Sequence, residues 1–206
     1  MPHSGTTSRS FFLNKIGYRH PMNQSIDQLR IADSVLLLVD VQGKLARMMH
    51  QSDSIIRQLA ILIEGCRLLG LPLIWAEQRP EKLGTTVPEL ASKLDGLQPQ
   101  AKSSFGCCGD REIDQSIRAT GRKQVLLCGI EAHVCVWQTA AALRSDSYQV
   151  HLICDAVSSR SAENRQIGIQ RMASAGVHLS STEMALFELM QDASHPKFRE
   201  VTRLLK

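Results

Sequence analysis

Three side chains able to do covalent chemistry together, a carboxylate, a lysine and a thiol, close or follow apolar runs in this 206-residue chain. Asp40 ends Ser34-Val-Leu-Leu-Leu-Val-Asp40, Lys102 sits in Ala101-Lys-Ser-Ser-Phe105, and Cys135 follows Gln124-Val-Leu-Leu-Cys-Gly-Ile-Glu-Ala-His-Val. A thiol beside a carboxylate is a nucleophile beside a base. An ammonium near both can neutralise the carboxylate and support a thiolate. Cys135 is expected in the first turn of a helix that begins where a strand ends. Amides there lack intrahelical partners, and with the helix dipole they lower a thiol's pKa or hold a developing oxyanion. Blander readings stay open at this level: Cys135 as a small buried hydrophobe, Asp40 as a loop cap or a partner of Lys44, and Lys102 as a solvated surface lysine.

The elements that must position these residues follow from the apolar pattern. The continuous run 34–39 marks a strand buried on both faces, as in parallel sheets. Apolar residues at 55, 56, 59, 62, 63, 66 and 69 have helical spacing, with Ser52 as N-cap and Gly70 and Pro72 as the stop. Strands follow at 73–76, around 99–104, at 125–128, at 150–154 and at 177–179. Helices are predicted from the capping-box spacing Thr86 to Glu89 through about Leu94, from Asp110 to Gly121, over 132–145, over 161–175, from the Ser180/Glu183 capping box to Met190, and from Pro196 onward. Six strands alternating with helices predict an α/β fold, a three-layer αβα sandwich with a doubly wound parallel six-stranded sheet in the order 3-2-1-4-5-6. Ligand sites in such sheets lie beyond the carboxyl ends of the strands where the order reverses, between the first and fourth strands. Asp40 and Cys135 then face each other across strands about 4.8 Å apart. The third strand is two places from the first, so Lys102 must lean inward.

Composition narrows the class. Hydrophobic content of 43% and charged content of 21% are ordinary for a globular domain. The net charge is +4, and Arg9, Lys15 and Arg19 lie in a first stretch, 1–21, that has no acid. No clustered basic face is apparent, so a nucleic-acid partner is not expected. No apolar run reaches the ~20 residues of a membrane span, so no membrane partner is expected. The six cysteines (66, 107, 108, 128, 135, 154) form no C-x-x-C pair, which fits reduced thiols in a reducing, cytoplasmic compartment. Residues 1–30 are expected to be a flexible extension, with 1–21 alternatively a leader or a stretch ahead of a start at Met22, and 31–206 one domain.

The residues that carry a family likeness are Leu38-Val-Asp40-Val-Gln42, Glu77-Gln78 with Leu83-Gly-x-Thr-Val-Pro-Glu89, Lys102 with Phe105, Gly129-Ile-Glu-x-His-Val-Cys135, Gln138-Thr139, Asp155-Ala-x-Ser-Ser-Arg160 and His195-Pro-Lys-Phe198. With these the chain resembles the isochorismatase-like cysteine hydrolase superfamily, in its metal-free branch. The resemblance implies an Asp40–Lys102–Cys135 triad and a cis peptide between Ile130 and Glu131. It also implies an oxyanion hole from the backbone N–H groups of Glu131 and Cys135, and a homo-oligomer. Many relatives carry threonine where this chain has Ala132. Gln42, Gln78 and Phe105 are candidate pocket residues, each with a structural reading as surface glutamine or core phenylalanine.

Other chemistry finds little support. The nicotinamidase branch binds a metal through Asp-x-His spacing after the second strand, where this chain reads Trp75-Ala-Glu-Gln-Arg-Pro80. The seven histidines form no ligand pair, so no metal or cofactor is expected. The single glycine after the first strand does not make a dinucleotide site. The expected activity is hydrolysis of a small amide, ester or related C–N or C–O substrate through a Cys135 thioester. A non-catalytic thiol sensor or an assembly protein on the same fold is the alternative.

Overall fold

A computed structural model describes residues 28–206. The expectation of a flexible extension lies, for residues 1–27, outside the described residues. The strands are β1 (Ser34–Val39), β2 (Leu73–Gln78), β3 (Gln100–Lys102), β4 (Gln124–Ile130), β5 (Gln149–Ser158) and β6 (His178–Ser180). They form one sheet in the order β3-β2-β1-β4-β5-β6, and every pairing is parallel. The doubly wound sheet anticipated from the apolar runs is therefore present.

The helices are α1 (Gly43–Arg47), α2 (Ser52–Leu68), α3 (Pro80–Leu83), α4 (Pro88–Ala91), α5 (Arg111–Ala119), α6 (Trp137–Ser145), α7 (Ala162–Ser174), α8 (Thr182–Met190) and α9 (Phe198–Leu204). Strand residues alternate between two cores, as the two-residue period demands. Leu36, Leu38, Leu126, Cys128 and Ile130 pack with α2, α4, α8 and α9 on one face. Val35, Leu37, Val39, Val125 and Leu127 pack with α5, α6 and α7 on the other. Both faces are covered, which is why β1 and β4 read as unbroken apolar runs.

Several local expectations are corrected. Ser52 is not the N-cap of α2; Gln51 holds that place in a left-handed conformation, and the Ser52 hydroxyl donates to the Ala46 carbonyl. The Thr86/Glu89 capping box does not form. Thr86 Oγ1 accepts from Trp75 Nε1 at 2.7 Å, Glu89 pairs with Arg47, and the helix is only α4. The cap of α8 is Ser181, whose hydroxyl accepts from the Met184 amide, one residue past the predicted Ser180. Asp110 does cap α5 through the amides of Glu112 and Ile113. Residues 132–145 are not one α-helix: Ala132–Val136 form a π turn before α6, with the Val136 amide bonded five residues back to the Glu131 carbonyl. The short helices α1 and α3 have too few residues to show a period and were not anticipated.

Candidate active site

The carboxyl ends of β1, β2, β3 and β4 bring Asp40, Gln78, Lys102 and Cys135 together. Asp40 follows β1 with a left-handed backbone, φ 55°, and its amide donates to the Ala76 carbonyl on β2. Lys102 ends β3 directly opposite Gln78 in the β2–β3 register. Its side chain crosses the end of β2 to reach the residue after β1. Lys102 Nζ lies 2.7 Å from Asp40 Oδ2 and 2.7 Å from Gln78 Oε1. It also donates to the Phe105 carbonyl at 3.0 Å and the Ser104 carbonyl at 3.2 Å. Both members of the ion pair are withdrawn from solvent, with side-chain exposures of 0% for Lys102 and 2% for Asp40.

Cys135 sits in the π turn beyond β4, 8% exposed. The Ile130–Glu131 peptide bond leading into that turn is cis. Gly129 precedes it with φ 114°, and a Cβ there would lie 2.1 Å from the Val39 carbonyl oxygen. Only glycine allows β4 to pass so close to the end of β1. The Cys135 carbonyl accepts from Thr139 Oγ1 at 2.7 Å, and that oxygen accepts from the Cys107 amide at 2.9 Å.

The Cys135 thiol interacts with the Asp40 carboxyl. Asp40 Oδ1 is buried and, unlike Oδ2, has no hydrogen-bond partner among the described residues. Burial raises the Asp40 pKa above its usual range, and Lys102 opposes the rise. The thiol is pushed up to about 12, first by burial and then by the Asp40 charge, with Lys102 pulling the other way. This corrects the expectation of a lowered thiol pKa. The helix-terminal effect is outweighed by desolvation and a neighbouring anion. At rest the arrangement is a neutral thiol against a buried ion pair. A carboxylate so placed can take the thiol's proton.

The three candidate pocket residues differ in burial and in partners. Gln42 is fully buried. Its Nε2 donates to the carbonyls of Gln78 and Gly84, and its Oε1 accepts from the Gln78 amide at 2.7 Å. Its amide ties β1 to β2. Gln78 Nε2 donates to the Ser103 carbonyl while its Oε1 holds Lys102. Phe105 is 56% exposed, and its contribution to the ion pair is its carbonyl. The Glu131 carboxylate accepts from the Arg160 backbone and guanidinium, tying the turn to the end of β5. Among the described residues no group of three His, Cys, Asp or Glu side chains is arranged to hold a metal.

Sequence reading missed the Ser104 and Phe105 carbonyls, because backbone acceptors carry no signature of their own. It also missed Thr139 as a link between Cys135 and Cys107, and Gly168, which lets α7 meet the π turn at close range. A glycine inside a helical stretch was the available signal for the last.

A doubly wound parallel sheet in the order β3-β2-β1-β4-β5-β6, with a carboxylate, a lysine and a thiol beyond the carboxyl ends of its strands, defines an isochorismatase-like α/β domain. The chain belongs to the isochorismatase family, whose domain matches residues 34–184. It is 41% identical over 181 residues to isochorismatase domain-containing protein 2 of Danio rerio, covering 87% of this chain and 90% of that one. The MAR1 ribonuclease of Caenorhabditis elegans superposes with a TM-score of 0.82 at 36% identity, over 87% of this chain and 92% of its own. The YcaC gene product of Escherichia coli, described as an octameric hydrolase of unknown specificity, superposes with a TM-score of 0.78 at 23% identity, over 85% and 95% of the two chains.

Proposed function

We propose that the chain is a hydrolase that works through Cys135, with Asp40 as base and Lys102 as its electrostatic support. The observation that carries the reading is the buried Asp40–Lys102 pair at 2.7 Å with a thiol against the same carboxyl. Asp40 accepts the thiol proton as sulfur attacks a carbonyl carbon. The oxyanion is held by the backbone N–H groups of Glu131 and Cys135, donors of a kind worth about 3 kcal/mol each. The C–N or C–O bond breaks, the leaving amine or alcohol takes the proton from Asp40, and a thioester remains on Cys135. Water, deprotonated by Asp40, then releases the acid and restores the thiol. The raised thiol favours hydrolysis over redox sensing, since a sensor works through a standing thiolate. A neutral thiol needs a base, and Asp40 is next to it.

Small amides, ureides and esters are the substrate class that fits, in a homo-oligomer like the octamer described for the Escherichia coli protein. The ribonuclease name of the Caenorhabditis elegans relative is reason to include RNA in the same screen. The test is turnover by the full chain against Cys135→Ala, with mass spectrometry for an acyl adduct on Cys135 at short times. Turnover that survives Cys135→Ala, or a panel with no turnover and no adduct, overturns the proposal.

A further inference from the structure

We infer that Gln78 is a positioning residue: it aims the Lys102 ammonium at Asp40 and thereby sets the pH at which Asp40 becomes a base. The inference rests on the hydrolase reading above and assigns a role within that site. The sheet order separates Lys102 from Asp40 by one strand, β2, and Gln78 ends that strand at the register position opposite Lys102. An ammonium has three N–H donors, and here four oxygens surround it. The two nearest are Asp40 Oδ2 and Gln78 Oε1, both at 2.7 Å; the Phe105 and Ser104 carbonyls are at 3.0 and 3.2 Å. Without Gln78 Oε1 the remaining partners besides Asp40 are carbonyls of the loop after β3, which draw the ammonium away from the carboxylate.

Gln78 is itself held from three directions. Its side-chain Nε2 donates to the Ser103 carbonyl at 2.9 Å, which fixes the amide so that Oε1 faces Lys102. Its backbone N–H donates to Gln42 Oε1 at 2.7 Å, and its carbonyl accepts from Gln42 Nε2 at 3.2 Å. Gln42 in turn lies two residues past Asp40, so the carboxylate and the amide that aims its counter-charge are tied through one side chain. The Gln78 backbone also favours the charged form of Asp40. Among the described residues the titratable groups around Asp40 are Lys102 from β3, Cys135 from the π turn, and Cys107 from the turn Cys107–Gly109, whose thiol feels the Asp40 and Lys102 charges. The neighbouring Glu77 carboxylate accepts from the Thr86 amide at 2.6 Å. A neutral amide at position 78 therefore leaves Lys102 with a single anionic partner.

Alkylation of Cys135 by acrylamide, followed by peptide mass mapping between about pH 4 and pH 8, reads Asp40 without requiring a substrate. The proteins are the full chain and its Asp40→Asn, Gln78→Glu and Gln78→Met variants, with thermal unfolding of each in parallel. Wild type is expected to show an acid limb that levels off as Asp40 loses its proton, a levelling that Asp40→Asn lacks. Gln78→Glu adds a second carboxylate against the same ammonium, and Gln78→Met removes the aiming oxygen. Each is expected to move the limb upward by on the order of one pH unit, about tenfold in rate at a fixed pH on the limb. A residue that merely supports the fold lowers the rate evenly across pH. A limb at the wild-type position in either variant overturns the assignment to Gln78 and leaves the hydrolase reading standing. An Asp40→Asn profile that superimposes on wild type overturns both. Should Gln78→Met fail to fold, the near-isosteric Gln78→Glu decides alone.

Discussion

Lys102 Nζ and Asp40 Oδ2 meet at 2.7 Å across an intervening strand, both closed off from water. Placing two charges there is costly unless each is fully partnered, and breaking a buried pair by removing one partner typically costs ~3–5 kcal/mol. Lys102→Met is therefore expected to destabilise strongly, and Asp40→Asn with Lys102→Met to recover most of the loss. The pH dependence has a definite sign. Asp40 already binds its proton more tightly folded than unfolded, chiefly through burial, and Lys102 is what opposes this. In Lys102→Met the folded pKa rises further. Stability from that proton is then complete below the ordinary carboxylate pKa and is lost as pH climbs through the raised value. Urea denaturation at about pH 7 and about pH 4.5 should show the deficit of Lys102→Met shrinking toward acid. If the single variant matches the double at neutral pH, the pair is not buried as described.

Cys135 is a protonated thiol at neutral pH, held up to about 12 by burial and by the Asp40 charge. Iodoacetamide labelling is expected to keep climbing beyond about pH 9, where an ordinary thiol levels off. Asp40→Asn removes both the proposed base and the neighbouring anion. Its labelling should be slower than wild type below neutrality and faster in alkali, so the two curves cross. A wild-type curve with no further rise beyond about pH 9 would show an activated thiolate in place of the base-assisted thiol.

How much of this was legible in the sequence depends on what each feature is made of. The doubly wound parallel sheet followed from continuous apolar runs alternating with helices, because a strand covered on both faces must be apolar at every position. Ser34–Val39 is buried throughout. The meeting of Asp40 with Cys135 followed from the switch-point rule, since the two residues lie beyond adjacent strand ends. The cradle around Lys102 did not, because two of its four acceptors are backbone carbonyls. The thiol pKa was misjudged for a related reason. A strand-to-helix junction is visible in sequence, whereas the depth of Cys135 and the side from which Asp40 approaches are tertiary quantities. The two failed capping boxes had the right spacing, but Thr86 is claimed by Trp75, a partner eleven residues back that no local pattern announces.

Thr139 joins two loops through one buried hydroxyl, donating to the Cys135 carbonyl and accepting from the Cys107 amide. Thr139→Val keeps the shape and loses both bonds, leaving the Cys107 N–H buried without an acceptor. That is expected to lower stability by about 1–3 kcal/mol, while Thr139→Ser, which keeps the hydroxyl, stays close to wild type. Chemical denaturation of the three proteins checks this. Equal stability of the valine and serine variants would mean the hydroxyl carries no such link.

Gly168 lies within α7, where a Cβ would come within 2.8 Å of the Ala132 carbonyl carbon and oxygen and of the His133 nitrogen. These are backbone atoms of the π turn that carries Cys135, so nothing flexible can swing aside. Alanine is the better helix former by roughly 1 kcal/mol, and at an unconstrained site Gly168→Ala would stabilise the protein. Against the turn, the clash is expected to reverse the sign and destabilise by about 1–3 kcal/mol. It should also displace the turn and slow acrylamide labelling of Cys135, since a base-assisted proton transfer depends on thiol and carboxylate staying within reach. Melting temperature and labelling rate, measured on the same preparation, separate the two effects. A Gly168→Ala variant that melts higher and labels at the wild-type rate would show that α7 and the turn are not in backbone contact.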